Sequence, residues 1–311
     1  MTLDPQAQLI LDLAERSARP LLESLDPPAA RIQYAEMVAA AAGDPPGGVE
    51  VQDGSIPGPG GEMPTRLYRP ENVTGPLPIL VYFHGGGFVI GDLDTHDIPC
   101  RRLCLSAGCL VVSVDYRLAP EHPFPAPVDD AWAATRWVVD HATDLGGDPS
   151  LVAVGGDSAG GNLAAVVCHL AKQDGAPALV SQLLIYPGTD ATGGMPSHKT
   201  LGHGYRLTNE LMDWFMAHYF SGGGDRRAFN VSPLFADEFS GLAPAVVLIA
   251  GYDPLKDEGR AYADKLRGAG VPTEFIEYEG MIHGFITMGG LVDAANEALE
   301  QCGVALGRAF G

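Results

Sequence analysis

A chain of 311 residues with about 46% hydrophobic residues is long enough for one large α/β domain with an insertion, and it can bury a sizeable core. Nineteen basic residues against 39 acidic ones give a net charge of −20, a field that repels nucleic acid and anionic membrane surfaces. No apolar run approaches the ~18 residues that a membrane span requires, so no stable membrane insertion is expected.

The first stretch carries acids and lacks the basic flank and apolar core of a secretory leader, which points to a cytoplasmic setting. Residues 6–25 place Leu9, Leu13, Leu21, Leu22 and Leu25 at helical spacing, with Pro20 as a break, and residues 31–42 read as a second short helix. The segments GDPPGG (43–48) and PGPGG (57–61) punctuate a change to strands. Strand patterns then fall at 49–53, 63–69, 78–83, 109–114, 151–156, 180–186, 245–250 and 273–278. Helical patterns fall at 96–107, 128–143, 160–173, 257–269 and 291–309. This alternation predicts an α/β fold: a mostly parallel central sheet of about eight strands with helices on both faces. The first two strands have no helix between them, so that edge should be antiparallel. One interval of about 55 residues, between LLIYPG (183–188) and PAVVLIAGYD (244–253), is too long for an ordinary connection. It contains a helical stretch at 209–220 whose Leu211, Trp214, Phe215, Met216 and Tyr219 make a broad apolar surface.

Five cysteines, Cys100, Cys104, Cys109, Cys168 and Cys302, make an odd count without zinc-ribbon spacing. Cys100 and Cys104 share a helix face, and all five read as buried free thiols in a reducing compartment.

In an open parallel sheet, ligands bind outside the carboxyl ends of the strands. Four strand ends carry unusual residues: His84-Gly85-Gly86-Gly87, GGDSAGGN (155–162), GYDPLKDEG (251–259) and EGMIHGF (279–285). The segment Gly156-Asp157-Ser158-Ala159-Gly160 fits G-x-S-x-G between a strand and a helix. A sharp strand-to-helix turn needs glycine on both sides of the serine because side chains there would clash. A serine nucleophile needs a base within hydrogen-bond reach, and His283, in the loop after the last strand, fits better than the other eight histidines. The histidine in turn needs an acid. Asp253 directly follows a strand and is held extended by Pro254; Asp190, Asp257 and Glu258 are its rivals, the last two suiting the first turn of the next helix. The order Ser158, Asp253, His283 is the order this architecture requires.

Neither glycine-rich loop fits G-x-G-x-x-G or ends in G-K-[ST], so no nucleotide cradle is indicated. The remaining use for Gly85, Gly86 and Gly87 is an oxyanion hole, completed by the N–H of Ala159. The acid-rich GDLDTHD (91–97) reads as a helix start capped by Asp94 or Thr95 and not as a metal site. No metal and no organic cofactor are expected.

Taken together, HGGGF (84–88), DYRLAPEHPFPAPVDD (115–130), GDSAGGNLA (157–164), DPLKDEG (253–259) and HGF (283–285) closely resemble the bacterial hormone-sensitive-lipase-like esterases, α/β-hydrolases of the GDSAG subgroup. The resemblance spans about residues 60–310. It implies an α/β-hydrolase fold with a helical cap, Ser158 as nucleophile, Asp253 as acid and His283 as base, with Gly86 and Gly87 as the main oxyanion donors of the loop and Gly85 shaping its turn. It further implies N-terminal cap helices at 1–45, a catalytic domain at 46–311, and a cap insertion at about 190–240. The implied function is a serine carboxylesterase acting on short- to medium-chain esters. Phe88, Trp214 and Phe215 are the candidate pocket residues, while Arg117 and Glu121 are read as scaffold. Two alternatives stay open: a non-catalytic small-molecule receptor on the same fold, and an amide or lactone hydrolase with the same triad. The expected partner is a small-molecule ester, with a homodimer left as an option.

Overall fold

The computed structural model describes residues 2–311. Each strand pattern in the sequence becomes a strand: β1 (Val49–Gly58), β2 (Gly61–Pro70), β3 (Leu77–Phe83), β4 (Leu110–Val114), β5 (Gly147–Asp157), β6 (Gln182–Ile185), β7 (Ala245–Tyr252) and β8 (Thr273–Ile282). They form one eight-stranded sheet in the order β1-β2-β4-β3-β5-β6-β7-β8. β1 pairs antiparallel with β2, and β2 with β4, while β4, β3, β5, β6, β7 and β8 run parallel.

The central strands are buried on both faces, so they read as continuous apolar runs and not as alternating ones. Ile79, Val81 and Phe83 of β3 face one core, which also holds Ala131, Leu163 and Tyr262. Leu80 and Tyr82 face the other, with Leu103, Leu299 and Cys302. The helices divide accordingly. α4 (Ala126–Asp140), α5 (Ala159–Asp174) and α8 (Lys256–Gly268) cover the first face; α3 (Asp97–Ala107), α9 (Asp293–Phe310) and α1 (Pro5–Arg16) cover the second. α2 (Pro27–Ala41) precedes the sheet, and α6 (Pro196–Leu201) and α7 (Asn209–Tyr219) lie in the long interval after β6. All five cysteines are buried and free, with Cys100 and Cys104 on the inner face of α3.

The N-terminal region departs from the sequence pattern. α1 is capped by Asp4 and stops at Arg16, four residues before Pro20, because Ser17 turns extended and its hydroxyl donates to the Ala14 carbonyl. A single 3₁₀ turn at Leu22–Ser24 follows. Ala7 and Ile10 are the buried residues of α1, whereas Leu9 and Leu13 stay exposed. α6 was not legible in the sequence, since six residues are too few to show a period.

Register places the chemistry. Phe83 at the end of β3 lies opposite Gly156 of β5, so the two glycine-rich loops leave the sheet side by side. The scaffold residues act behind them. The Arg117 guanidinium grips the fully buried Asp130 carboxylate of α4 through Nε at 2.8 Å and Nη2 at 2.7 Å. Glu121 binds Arg31 of α2, which also donates to the carbonyls of Val89 and Ala119 at 2.8 and 2.9 Å. Arg117→Ala should therefore leave this buried carboxylate with only the backbone N–H of residue 117 as a donor, at 2.9 Å, and cost about 3 kcal/mol. The check is a urea titration, with a lower midpoint at unchanged slope; a loss under ~1 kcal/mol would mark the pair as a surface-type contact.

Candidate active site

β5 ends at Asp157 and α5 begins at Ala159, so the whole strand-to-helix turn falls on Ser158, held at φ 54° and ψ −117°. This conformation is strained for a side-chain-bearing residue and lifts Oγ clear of the backbone. The flanking glycines are required sterically. A Cβ on Gly156 would strike the Phe83 carbonyl and the backbone of Gly160, and one on Gly160 would strike the same Phe83 carbonyl. The Ser158 N–H donates to Ile185 O at 2.9 Å, and Ser158 O accepts from Gly188 N at 3.2 Å, which ties the turn to β6 and its following loop.

His283 follows β8 and Asp253 follows β7. Their side chains meet at 2.7 Å between His283 Nδ1 and Asp253 Oδ2, and His283 Nε2 lies 2.9 Å from Ser158 Oγ. Asp253 is fully buried, and its other oxygen accepts the Leu255 N–H at 2.8 Å. A buried carboxylate facing Nδ1 requires the proton on that nitrogen. Nε2 is thereby left as an acceptor for the serine hydroxyl. The rival acids are engaged elsewhere. Asp190 Oδ1 accepts from the Thr192 N–H and hydroxyl, and Asp257 accepts the Ser197 N–H. Glu258 does more than suit the first turn of α8. It is buried, accepts the N–H groups of Thr189 and Asp190 at 2.5 and 3.1 Å, and pairs with His198 of α6 at 2.9 Å. Burial raises its carboxyl above the usual range despite His198.

The loop after β3 runs beside this turn. Gly86 and Gly87 sit at φ 121° and 60°; a Cβ on Gly86 would meet Ile90 O, and one on Gly87 the Phe215 ring. The N–H groups of Gly86, Gly87 and Ala159 have no protein acceptor among the described residues. Gly85 differs and has to be set apart from the oxyanion donors with which the sequence grouped it. Its N–H donates to Asp157 Oδ1 at 3.0 Å, and a Cβ there would collide with that carboxylate. Asp157 had no role in the sequence reading beyond its place in the motif. Its carboxylate is buried beneath the loop, where it accepts the Tyr82 hydroxyl at 2.8 Å and faces His96 Nε2 at 3.2 Å. Burial alone would raise this carboxyl, but His96 and the Tyr82 hydroxyl outweigh it and hold the group below the usual carboxylate range. His84, also buried, is pushed down to about 4 by desolvation and by His96, and so stays neutral at pH 7. Its ring stacks on Tyr116 at 4.4 Å, and the Tyr116 hydroxyl donates to His84 O.

The residues of 91–97 do not converge. Asp92 and Thr95 exchange hydrogen bonds, Asp94 and Asp97 meet Arg66, and His96 turns inward to Asp157. The expected cap also shifts: α3 starts after His96, without a side-chain cap bond from Asp94 or Thr95. No group of three or more His, Cys, Asp or Glu side chains suited to a metal occurs among the described residues.

Above Ser158 lies a cavity of about 1270 Å³ bounded by Gly86, Gly87, Ala159 and His283 below, by Leu22, Tyr34 and Met37 on the N-terminal side, and by Leu211, Phe215 and Met216 of α7. Phe88 and Phe215 line it, Phe88 stacking on Tyr219 at 4.0 Å. Trp214 does not. One step along the helix from Phe215, it points off the wall and packs edge-on against Phe215 and His218.

A family model described as alpha/beta hydrolase fold matches residues 80–287. The carboxylic ester hydrolase LipN of Mycobacterium tuberculosis is 44% identical over 317 residues, covering 99% of this chain and 84% of the relative. Ethyl acetate hydrolase of Pseudomonas putida is 41% identical over 314 residues, covering 98% and 99% of the two chains. Among solved structures, an ester-hydrolase from the Lake Arreo metagenome, complexed with a bipyridine phosphonate derivative, superposes with a TM-score of 0.97 at 45% identity over 100% of both chains.

Asp157→Asn should loosen the loop that carries Gly86 and Gly87, because an amide oxygen is a weaker acceptor for the Gly85 N–H and the His96 ring loses its carboxylate partner. The expected result is a fall in kcat, bounded by the ~10²–10³-fold effect of one lost oxyanion donor, with KM little changed. Steady-state kinetics check it; an unchanged kcat would show that Asp157 does not hold the loop in place.

Proposed function

We propose a mechanism for a chain that belongs to the alpha/beta hydrolase fold family, in its hormone-sensitive-lipase-like branch, and that is a carboxylic ester hydrolase. Ser158 Oγ attacks the ester carbonyl while His283 Nε2 takes its proton, and Asp253 stabilises the resulting imidazolium. The carbonyl oxygen, now negative, is received by the N–H groups of Gly86, Gly87 and Ala159. The last of these opens α5, whose dipole favours negative charge at that end. His283 then protonates the leaving alcohol, and water repeats the sequence on the acyl-enzyme. The observation that carries this reading is the unbroken contact from Ser158 Oγ to His283 at 2.9 Å and from His283 to buried Asp253 at 2.7 Å, at the floor of the cavity. A non-catalytic receptor would have no use for such a relay.

Residues 1–45 and about 190–240 act in this proposal as a two-part cap over a catalytic domain at 46–311. The support is that Leu22 and Tyr34 from the first segment and Leu211 and Phe215 from the second close the same cavity. Its apolar wall around Phe88 and Phe215 suits acyl groups of short to medium length. Five buried free thiols favour a cytoplasmic setting, and the charge of −20 disfavours nucleic acid as a partner. Every proposed catalytic group comes from one chain, so the chemistry does not depend on a homodimer. No helix among the described residues is long and apolar enough to cross a membrane.

Hydrolysis of a 4-nitrophenyl series from acetate to decanoate should peak at the short to medium members and fall by roughly 10⁴-fold or more in Ser158→Ala. A phosphonate probe should label Ser158 alone, read by peptide mass spectrometry. Activity surviving in Ser158→Ala would overturn the mechanism, and a preference for the longest acyl chain would overturn the pocket assignment.

A further inference from the structure

Arg206 is a half-buried cation of the cavity wall whose position the mechanism leaves unexplained. It lies in the insertion between α6 and α7, at φ 71°, with Leu207 N–H donating to Tyr205 O at 2.9 Å across it. A γ-turn in the left-handed region is strained, more so when it carries a long side chain. The turn sends the guanidinium onto the wall beside His283: Nε is 3.9 Å from the point a Cβ on Gly284 would occupy, and Nη1 is 3.6 Å from Met288 Sδ. Gly284 has no side chain to stand between this cation and the reacting residues.

The guanidinium has no carboxylate partner among the described residues; the groups that act on it electrostatically are the phenols of Tyr34 and Tyr186. Burial holds its pKa below the usual arginine value. The other cations on the same wall differ from it, Lys199 lying exposed at the end of α6. Arg19 pairs with Glu36 at 2.8 Å, and Arg226 lies over the Phe220 ring. Buried acids nearest the floor are also satisfied, Asp157 by Gly85, Tyr82 and His96, and Glu258 by His198. The Tyr34 ring lines the cavity as well, and the Tyr186 hydroxyl is buried without a hydrogen-bond partner. A half-buried guanidinium has lost part of its hydration, and its planar fork matches a carboxylate with two parallel hydrogen bonds.

We propose that Arg206 receives a carboxylate carried by the ester itself, so that the preferred substrates are monoanionic: half-esters of dicarboxylic acids or acyl esters of hydroxy acids. This rests on the esterase mechanism proposed above and adds the charge of the substrate to it. An anionic group bound there would lie beside the His283 turn and would orient the ester for attack.

Two matched pairs test the assignment and separate the two sides of the ester. 4-Nitrophenyl hydrogen glutarate against 4-nitrophenyl valerate places the charge on the acyl side, and 3-acetoxypropanoate against 3-acetoxypropanamide places it on the alcohol side. In at least one pair the wild type should favour the anion by about tenfold or more in kcat/KM, the scale of one charge-assisted contact. Arg206→Gln should erase that preference while leaving the neutral member within about threefold, and Arg206→Lys should keep part of it. Glutarate should compete with substrate in the wild type and not in Arg206→Gln. Equal losses on neutral and anionic members, or a wild-type preference for the neutral member in both pairs, would overturn the proposal. If Arg206→Gln does not fold, Arg206→Lys and the glutarate competition against wild type decide in its place. Absence of Ser158-dependent hydrolysis of any ester would instead overturn the mechanism on which the proposal stands.

Discussion

The structure depends on one backbone turn. At Ser158 a strand becomes a helix within a single residue, and the carbonyl of Phe83 presses against the space on either side. Three consequences follow from that crowding. Glycine is forced at positions 156 and 160. The serine side chain projects away from the sheet, toward the strand ends of β7 and β8. The first N–H of α5, that of Ala159, is left without a protein acceptor among the described residues. Strain at such a residue is of order 1–3 kcal/mol and persists only where its surroundings over-determine it. Here the hydrogen bonds of Ser158 N and O to Ile185 and Gly188 supply part of that constraint.

Asp157, one residue earlier on the same turn, carries the effect to the other side of the site. Its carboxylate points back under the loop after β3 and holds Gly85, so the proposed nucleophile and the proposed oxyanion donors are positioned by adjacent residues of one strand end. Arg31 secures the far end of that loop through Val89 O while binding Glu121, linking the N-terminal helices to the scaffold segment. Glu258 does the equivalent work for the insertion, joining α8 to α6 through His198. The Asp157 and Glu258 carboxylates are buried and partnered, and each fixes one piece of backbone around the cavity. The division of labour among the acids follows: Asp253 faces His283, the proposed base, while Asp157 and Glu258 hold structure.

Legibility in the sequence followed the range of the interaction involved. The sheet strands were readable because burial on both faces writes an apolar run into the chain, as in β3 and β7. The order of Ser158, Asp253 and His283 was readable because each follows a strand directly, and strand ends of a parallel sheet gather on one edge. The N-terminal helix was misjudged because Leu9 and Leu13 mimic a buried stripe that the fold leaves exposed. α6 was missed because its ordering comes from contacts to α8 and not from its own pattern. Trp214 and Phe215 could not be told apart, since a broad apolar helix face does not reveal which of two neighbours a cavity will touch.

By itself, the sequence determined the α/β architecture, the elbow and the identity of the three residues proposed for catalysis, because those rest on local sterics and on periodicities that the chain carries in full. Long-range packing brought the Gly85 N–H onto Asp157, joined Glu258 to His198, and set Arg206 on the cavity wall with no carboxylate partner among the described residues. Each of those depends on which residues from distant parts of the chain meet in a desolvated space, and no local pattern encodes that meeting.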